Sequence, residues 1–500
     1  MHDWRQIIGR FRKTLDCFIV IMFSAGVKLV GVDDFIAPTK ECIKPILGDG
    51  SNKPDMKSAI NATLADCLAC SGCITSAEEI FINQQGLNEL NAFLEFNSKI
   101  SDPKIVIFSI SPQSLVVTMK KMGLSYEQAV LRVSSCLRHN FGVKYVFCTS
   151  VTQELSILES CHEFIELYQS VSDSSCELRL LLSGICPGWV CYAEKVQSDL
   201  ILPYLSKIRS PQGIMGSFIK HYFAKIYKVS PEKIYHVSVQ PCFDRKLEAY
   251  RPDMVIETPE GIHETDHVLS SYEFLEMMLH PAVKVYQPIG PEKALEIVGF
   301  DDAMNLGNYE TEISVSQGNG SGGLALNVFI IACQRLFGLR ATFSVGDDGG
   351  YDWNVDSQLY RVEGHKNRND DYYEWKLINV PENRVLLKFG QIYGFKNIQN
   401  MIRTIKKLKA DEPVTYLEVM ACPGKGCLNG VGQISPNDRN SKNSVVAKAF
   451  IKDLESIYAR FNRFPCESEQ IYDFHRRLKD SQTKMDRIFY KLDKKDILTW

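Results

Sequence analysis

The stretch Leu178-Arg-Leu-Leu-Leu182-Ser-Gly-Ile-Cys186-Pro-Gly-Trp189 sets the fold class of this chain. Leucine at four of its first five positions reads as a buried strand. Ser183-Gly184 ends that strand, and Cys186 follows with a proline directly behind it. The arrangement returns twice. Cys242 stands past a strand over 234–239 in Gln240-Pro-Cys242-Phe-Asp244, and Cys422 and Cys427 stand past a strand over 414–420 in Met420-Ala-Cys422-Pro-Gly-Lys-Gly-Cys427. All four thiols thus fall just beyond carboxyl ends of strands, the edge of an open α/β sheet where ligands bind. Proline stiffens the backbone beside a sulfur in each loop, while Gly424, Gly426 and Gly430 allow close backbone approach. Four thiolates from three loops can hold a cubane cluster at the junction of two lobes. The competing reading is a set of ordinary buried cysteines, which are common, and taken singly it suits Cys242.

Outward from these loops the texture is strand, helix, strand. Lys104-Ile-Val-Ile-Phe-Ser-Ile110 reads as a strand, 125–141 as a helix, Lys144-Tyr-Val-Phe147 as a strand, and 152–168 as a helix with apolar residues at helical spacing. A second round follows, with a buried helix over 322–337 that stops at Gly338, strands near 341–345, 385–389 and 414–420, and a helix near 396–408. From 444 to 495 the chain reads as helical and charged, broken at Pro465. The pattern is that of two lobes of mainly parallel sheet flanked by helices. The run Gly318-Asn-Gly-Ser-Gly-Gly323 precedes a helix but lacks the Gly-Lys-Ser/Thr ending of a nucleotide loop, so close packing is expected there.

The amino-terminal part carries Cys67-Leu-Ala-Cys70-Ser-Gly-Cys73, three thiols two residues apart around a short turn, with Cys42 upstream as the natural fourth ligand. Four cysteines suit a cubane iron–sulfur cluster. Tetrahedral zinc accepts the same set, although zinc sites usually come as two separated pairs. Before this module, four basic residues lead into the apolar run Cys17–Phe23, which is too short to span a bilayer. A signal peptide, a run that belongs to ordered structure, and an upstream extension preceding a start at Met22 all fit.

The chain has 500 residues, with 57 Lys+Arg against 60 Asp+Glu for a net charge of −3, and 45 % hydrophobic residues. Near-balanced charge argues against a nucleic-acid partner, and the apolar content against disorder. Sixteen cysteines grouped at short spacing in a chain of this length point to metal or redox chemistry in a reducing compartment rather than to a disulfide scaffold.

The three Cys loops resemble the signature loops of iron-only hydrogenases. Together with Asp34-Phe-Ile-Ala-Pro38, Cys186-Pro-Gly-Trp-Val-Cys-Tyr-Ala-Glu-Lys195, Gln240-Pro-Cys-Phe-Asp-Arg-Lys-Leu-Glu-Ala249 and Glu418-Val-Met-Ala-Cys-Pro423, they resemble more closely the hydrogenase-like Nar family of cytosolic iron–sulfur assembly factors, relatives of the nuclear prelamin A recognition factor. The resemblance runs from about Phe23 to Trp500. It implies an iron-only-hydrogenase-like α/β fold with a ferredoxin-like amino-terminal module. It also implies two [4Fe-4S] clusters, one on Cys42, Cys67, Cys70 and Cys73 and a buried one on Cys186, Cys242, Cys422 and Cys427. The implied role is cluster handling between a cytosolic scaffold and a late targeting complex, with no membrane or nucleic-acid partner, in the cytoplasm and with the nucleus left open as a second location. The implied division is a leader or extension over 1–21, the iron–sulfur module over 22–95, lobes over 96–260 and 261–443, and a helical carboxyl-terminal segment over 444–500.

Three residues depart from the hydrogenase pattern. Ile185 stands where a proton-relaying Cys precedes the first signature Cys, and Gln240 and Arg245 replace a Met and a Lys near the diiron subsite. The catalytic diiron centre is therefore expected to be absent. Four residues stand between Cys422 and Cys427 instead of the family's three, with Lys425 as the inserted one, which makes Cys427 the least secure of the eight implied ligands. Cys148 and Cys191 are expected to be packing thiols. Leu498-Thr499-Trp500 loosely matches the aliphatic, small, aromatic ending of proteins that dock on the targeting complex. The alternative reading is a redox enzyme that uses two clusters as an electron relay. A third has zinc at the amino-terminal cysteines of a purely structural interaction protein.

Overall fold

A computed structural model of the chain describes residue 82 and residues 85–490, apart from 174–178, 259–260, 284–297, 346–349, 367–370, 407–412, 425, 434–443 and 464–467. The expectations at Cys42, Cys67, Cys70, Cys73, residues 1–21 and Trp500 lie outside the described residues.

The strands of three residues or more are β1 (Ile105–Ile110), β2 (Tyr145–Cys148), β3 (Leu180–Leu182), β4 (Ile234–Gln240), β5 (His267–Ser270), β6 (Ala341–Val345), β7 (Tyr351–Val355), β8 (Tyr360–Lys366), β9 (Tyr372–Asn379), β10 (Arg384–Tyr393) and β11 (Val414–Met420). The first sheet has the order β2-β1-β4-β5 and is parallel throughout. Its helices have sequence-encoded ends. Helix α1 (Leu87–Lys99) precedes β1; α2 (Pro112–Met122) starts at Ser111, whose hydroxyl accepts from the Ser114 amide, with Pro112 at the first helical position. Gly123 closes it in the left-handed conformation at φ 65°. Helix α3 (Tyr126–Phe141) opens on a reciprocal pair between Ser125 and Gln128.

The second sheet has the order β8-β9-β10-β11-β3 and is mixed: β8, β9 and β10 pair antiparallel, whereas β10, β11 and β3 pair parallel. The expectation of a mainly parallel second lobe is thus met only on the side that carries the cysteines. The chain enters this sheet early, because β3 pairs with β11 far along the sequence. Helix α4 (Ser150–Ser172) is long enough to contribute to both lobes, with Val151, Leu155 and Leu158 in the core beside the first sheet and Ile157, Cys161 and Phe164 in the core beside the second.

Helices α5 (Pro187–Val196), α6 (Pro211–Ser217), α7 (Asp244–Ala249), α8 (Ser271–Leu279), α9 (Leu324–Phe337) and α10 (Phe395–Ile405) complete the two lobes. Helix α9 ends at Gly338 as its sequence indicates. Beyond it, α11 (Ser444–Tyr458) and α12 (Glu469–Asp480) are helical, but residues 481–490 are not. After a turn at 481–483 whose amides bond back to Leu478 and Lys479, the chain runs on as a strap tied to other elements: the Arg209 amide donates to Met485 O at 2.8 Å, and the Arg487 amide to Lys207 O at 2.7 Å.

Candidate metal centre

Strands β3, β4 and β11 each hand their chain to a Cys loop, and glycines let the three loops touch. A Cβ on Gly188, one turn after Cys186, would stand 2.6 Å from Asp244 Oδ2 and 3.3 Å from Ala421 Cβ. A Cβ on Gly430 would meet Pro241 O at 2.4 Å, and one on Gly432 would lie 3.2 Å from Cys242 Cα. Only residues without side chains fit between these backbones.

Cys186 caps helix α5, with Pro187 at its first position, and its sulfur accepts from the Ala421 amide at 3.4 Å. Cys242 lies in the turn between β4 and α7, and Cys422 directly follows the short exit from β11. Cys427 sits in a single turn of 3₁₀ helix, Gly426–Asn429, where its amide donates to Ser321 Oγ at 3.1 Å. Gly424 at φ 61° and Gly426 at φ 67° flank position 425, so left-handed backbone takes up the longer spacing while Cys427 stays with the other thiols. Burial pushes the Cys186 and Cys427 thiols up to about 12 and Cys242 well above the usual thiol range. The thiols reinforce this among themselves: Cys422 and Cys427 act on Cys186 and on Cys242, and Cys422 acts on Cys427. Arg245 opposes the rise at Cys242 and Cys427.

Burial thus favours the protonated forms of Cys186, Cys242 and Cys427, and such thiols give up their protons when a soft cation binds, since metal binding and thiol deprotonation are linked. The donor set is all sulfur, which suits iron–sulfur clusters and zinc and disfavours magnesium or calcium. The residues present therefore fit the cluster that the sequence implies.

Beside Cys427 lies a cavity of about 30 Å³. Ile157, Ile185, Leu324 and Met420 form its apolar wall, and Gln240 and Arg245 lie opposite. Both polar residues are engaged elsewhere: Gln240 Nε2 donates to Ser238 Oγ at 2.9 Å, and Arg245 pairs with Glu248. All three departures noted in the sequence thus line one small space, which has room for about two waters. Arg245 and Cys427 are the titratable groups among its lining residues.

Around the thiols the frame is polar and buried in ways that sequence spacing did not reveal. Glu418, four residues before Cys422, is fully buried; it accepts from the Ala325 amide at 2.8 Å and from the Tyr393 hydroxyl at 2.8 Å. It ties β11 to the amino terminus of α9, where a carboxylate is favoured by the helix dipole. The glycine run packs as expected: a Cβ on Gly320 would strike Leu428, and one on Gly322 would strike Gln153. Cys148 is a core thiol raised to about 12 by burial, and Cys191 lies on α5. Histidines that look scattered in the sequence do meet once among the described residues. His162 and His475 both face Glu159, with Lys479 Nζ at 3.1 Å from the same carboxylate oxygen, an ion-pair joint that fastens α12 to α4.

The family described as iron only hydrogenase large subunit, C-terminal domain, matches residues 104–431. Curated relatives extend the match over most of the chain. The rat protein named cytosolic iron-sulfur assembly component 3 is 36 % identical over 87 % of this chain and 88 % of its own. A Xenopus tropicalis relative named as a cytosolic Fe-S cluster assembly factor is 36 % identical over the same shares. The chain belongs to the iron-only-hydrogenase-like family of cytosolic iron–sulfur assembly factors. Its fold is likewise that of the hydrogenases. An apo [FeFe]-hydrogenase variant from Chlamydomonas reinhardtii superposes with a TM-score of 0.60 over 80 % of this chain and 98 % of that one, at 18 % identity. A second solved [FeFe]-hydrogenase gives 0.62 at 19 % identity, over 81 % and 98 % of the two chains. Family membership agrees with the meeting of three Cys loops between the two sheets, two beyond β3 and β11 of the second sheet and one beyond β4 of the first.

Proposed function

We propose that this chain is a non-catalytic iron–sulfur protein of cytosolic iron–sulfur cluster assembly. One [4Fe-4S] cluster would sit on Cys186, Cys242, Cys422 and Cys427 and a second on Cys42, Cys67, Cys70 and Cys73. When bound, such a cluster supplies one-electron redox chemistry and a rigid link between its protein ligands. The chain's own residues do the rest: the three loops present sulfur, the Ala421 amide orients Cys186, and Arg245 favours the thiolate forms of Cys242 and Cys427.

The observation that carries this reading is the cavity beside Cys427. Hydrogen chemistry needs a second metal subsite and a path for protons. The space there is about 30 Å³, and Ile185 and Ile157 present hydrocarbon where a relay needs a group that can exchange a proton. The names of the curated relatives support a place in cytosolic cluster assembly. Partners in this reading are a cluster scaffold and the targeting complex, the latter engaged through Trp500, whose aromatic ring suits an interface anchor.

Two measurements test it. Iron-loaded protein assayed anaerobically for hydrogen uptake and evolution is expected to give no turnover; turnover above a Cys242→Ala control would overturn the non-catalytic reading. Deletion of Trp500 is expected to weaken co-purification with targeting-complex proteins while leaving iron content unchanged, and undiminished co-purification would reject that anchor.

A further inference from the structure

The carboxyl-terminal strap reaches the back of the thiol site through one fully buried side chain. Arg487 has no exposed side-chain surface, and its Nη2 donates to Glu248 Oε1 at 2.7 Å. The other oxygen of Glu248 takes Arg245 Nη1, Ser210 Oγ at 3.0 Å and Gln212 Nε2 at 3.3 Å. One carboxylate thus lies between two guanidiniums, of which Arg245 lines the same small cavity as Cys427 and follows Cys242 by three residues. Asp244 belongs to the same buried group and acts on Cys242 in the sense opposite to Arg245; farther out, Arg251 binds both oxygens of Glu194, at 2.7 and 2.8 Å, and also Asp253. Nε and Nη1 of Arg487 find no hydrogen-bond partner among the described residues, so the guanidinium is held there at a desolvation cost. The strap also touches the first Cys loop: a Cβ on Gly184 would meet the Phe489 ring at 3.5 Å. Further on, the Tyr490 amide donates to Glu194 Oε1 at 3.0 Å, beside helix α5.

We infer that Arg487 is a positioning residue of the buried thiol site, which by sharing Glu248 leaves Arg245 with residual positive charge directed at the Cys242 and Cys427 sulfurs. This rests on the reading that those thiols hold an iron–sulfur cluster. Charge in a dry interior acts over several ångströms with little screening. Without Arg487, Glu248 belongs to Arg245 alone and cancels it. Without the charge of Glu248, both guanidiniums face the site uncompensated. The two changes therefore push an anionic thiolate cluster in opposite directions, which loss of packing would not do.

The experiment uses full-length, anaerobically iron-loaded protein and follows the paramagnetic resonance signal that Cys242→Ala removes, titrated for its midpoint potential. Arg487→Gln is expected to shift that potential negative and to speed iron release to a ferrous chelator at least threefold. Glu248→Gln is expected to shift the potential positive, and Arg487→Lys, which keeps the charge, to stay near wild type. Where Arg487→Gln fails to fold, a positive shift in Glu248→Gln beside an Arg487→Lys near wild type supports the role, and no shift in Glu248→Gln overturns it. Potentials and release rates equal to wild type in both charge-changing variants, or shifts of the same sign in both, overturn the role of Arg487. A signal that survives Cys242→Ala overturns the site assignment itself, and this role with it.

Discussion

Glu418 has zero solvent exposure and uses its carboxylate oxygens on the frame around the thiols, taking the Ala325 amide and the Tyr393 hydroxyl. Replacing it with Ala strands both donors in the interior, at about 1–3 kcal/mol each. Denaturant unfolding of Glu418→Ala is expected to show a loss of about 3 kcal/mol, and a loss below about 1 kcal/mol would mean that water reaches these groups. Gly430 is a second such point. Its Cβ position lies 2.4 Å from Pro241 O, backbone against backbone, so Gly430→Ala has to part the loops that carry Cys427 and Cys242. Iron analysis is expected to fall by about half in that variant, the amino-terminal iron remaining, and full iron would show that the loops need not touch. At this scale the cysteines and Ile185 were legible because their chemistry is written in the residue type. Glu418, Glu248 and Arg487 were not. Their partners lie 93, 38 and 239 residues away, and periodicity places a residue on a face without naming what it meets.

Strand β4 carries both Cys242 and a titratable core residue. His236 is fully buried, with Nδ1 donating to Glu264 O at 3.0 Å and Nε2 bonded to Ser109 Oγ at 2.8 Å, and burial draws its imidazole down to about 4. A histidine whose folded value lies below the unfolded value of about 6.5 stabilises above that value, and the contribution is lost as pH falls toward its folded one. Unfolding free energy is therefore expected to drop by about 2 kcal/mol between pH 7 and pH 5 on account of His236, and His236→Gln is expected to flatten that slope. An unchanged slope would mean that this ring titrates alike in the folded and unfolded chain. Element by element, the sequence predicted β1, β2, β4, β6 and β11 closely, because each is a short apolar or β-branched run. Helices α3 and α9 were equally plain, since glycines in the left-handed region stop both. Strands β7, β8 and β9 were missed. In Tyr372-Tyr-Glu-Trp-Lys-Leu377 the alternation is between aromatic and charged residues, a two-residue period that an eye trained on aliphatic runs passes over. The charged composition of 481–490 suits a helix, yet beyond the turn at 481–483 its amides bond to distant partners, Lys484 to Ser217, Arg487 to Lys207, Ile488 to Asp253 and Tyr490 to Glu194.

For the whole molecule, two sheets joined by α4 bring loops from positions 186, 242 and 422–427 to one place, and that convergence is what the account depends on. Distant parts of the chain contribute one ligand loop each, so loss of a ligand is felt as loss of contact between lobes as well as loss of iron. The fold is that of the hydrogenases, and in the proposed reading Ile185 and Ile157, which line the cavity beside Cys427, set this chain apart from hydrogenase chemistry. Neither the fold nor the family name fixes the metal. Iron, sulfide and zinc analysis of the anaerobically purified full chain, wild type against Cys242→Ala, does. The account predicts about eight irons in the wild type, about four in the variant, and a marked loss of thermal stability with the missing four. Zinc in place of iron, or Cys242→Ala with full iron and unaltered stability, would contradict it.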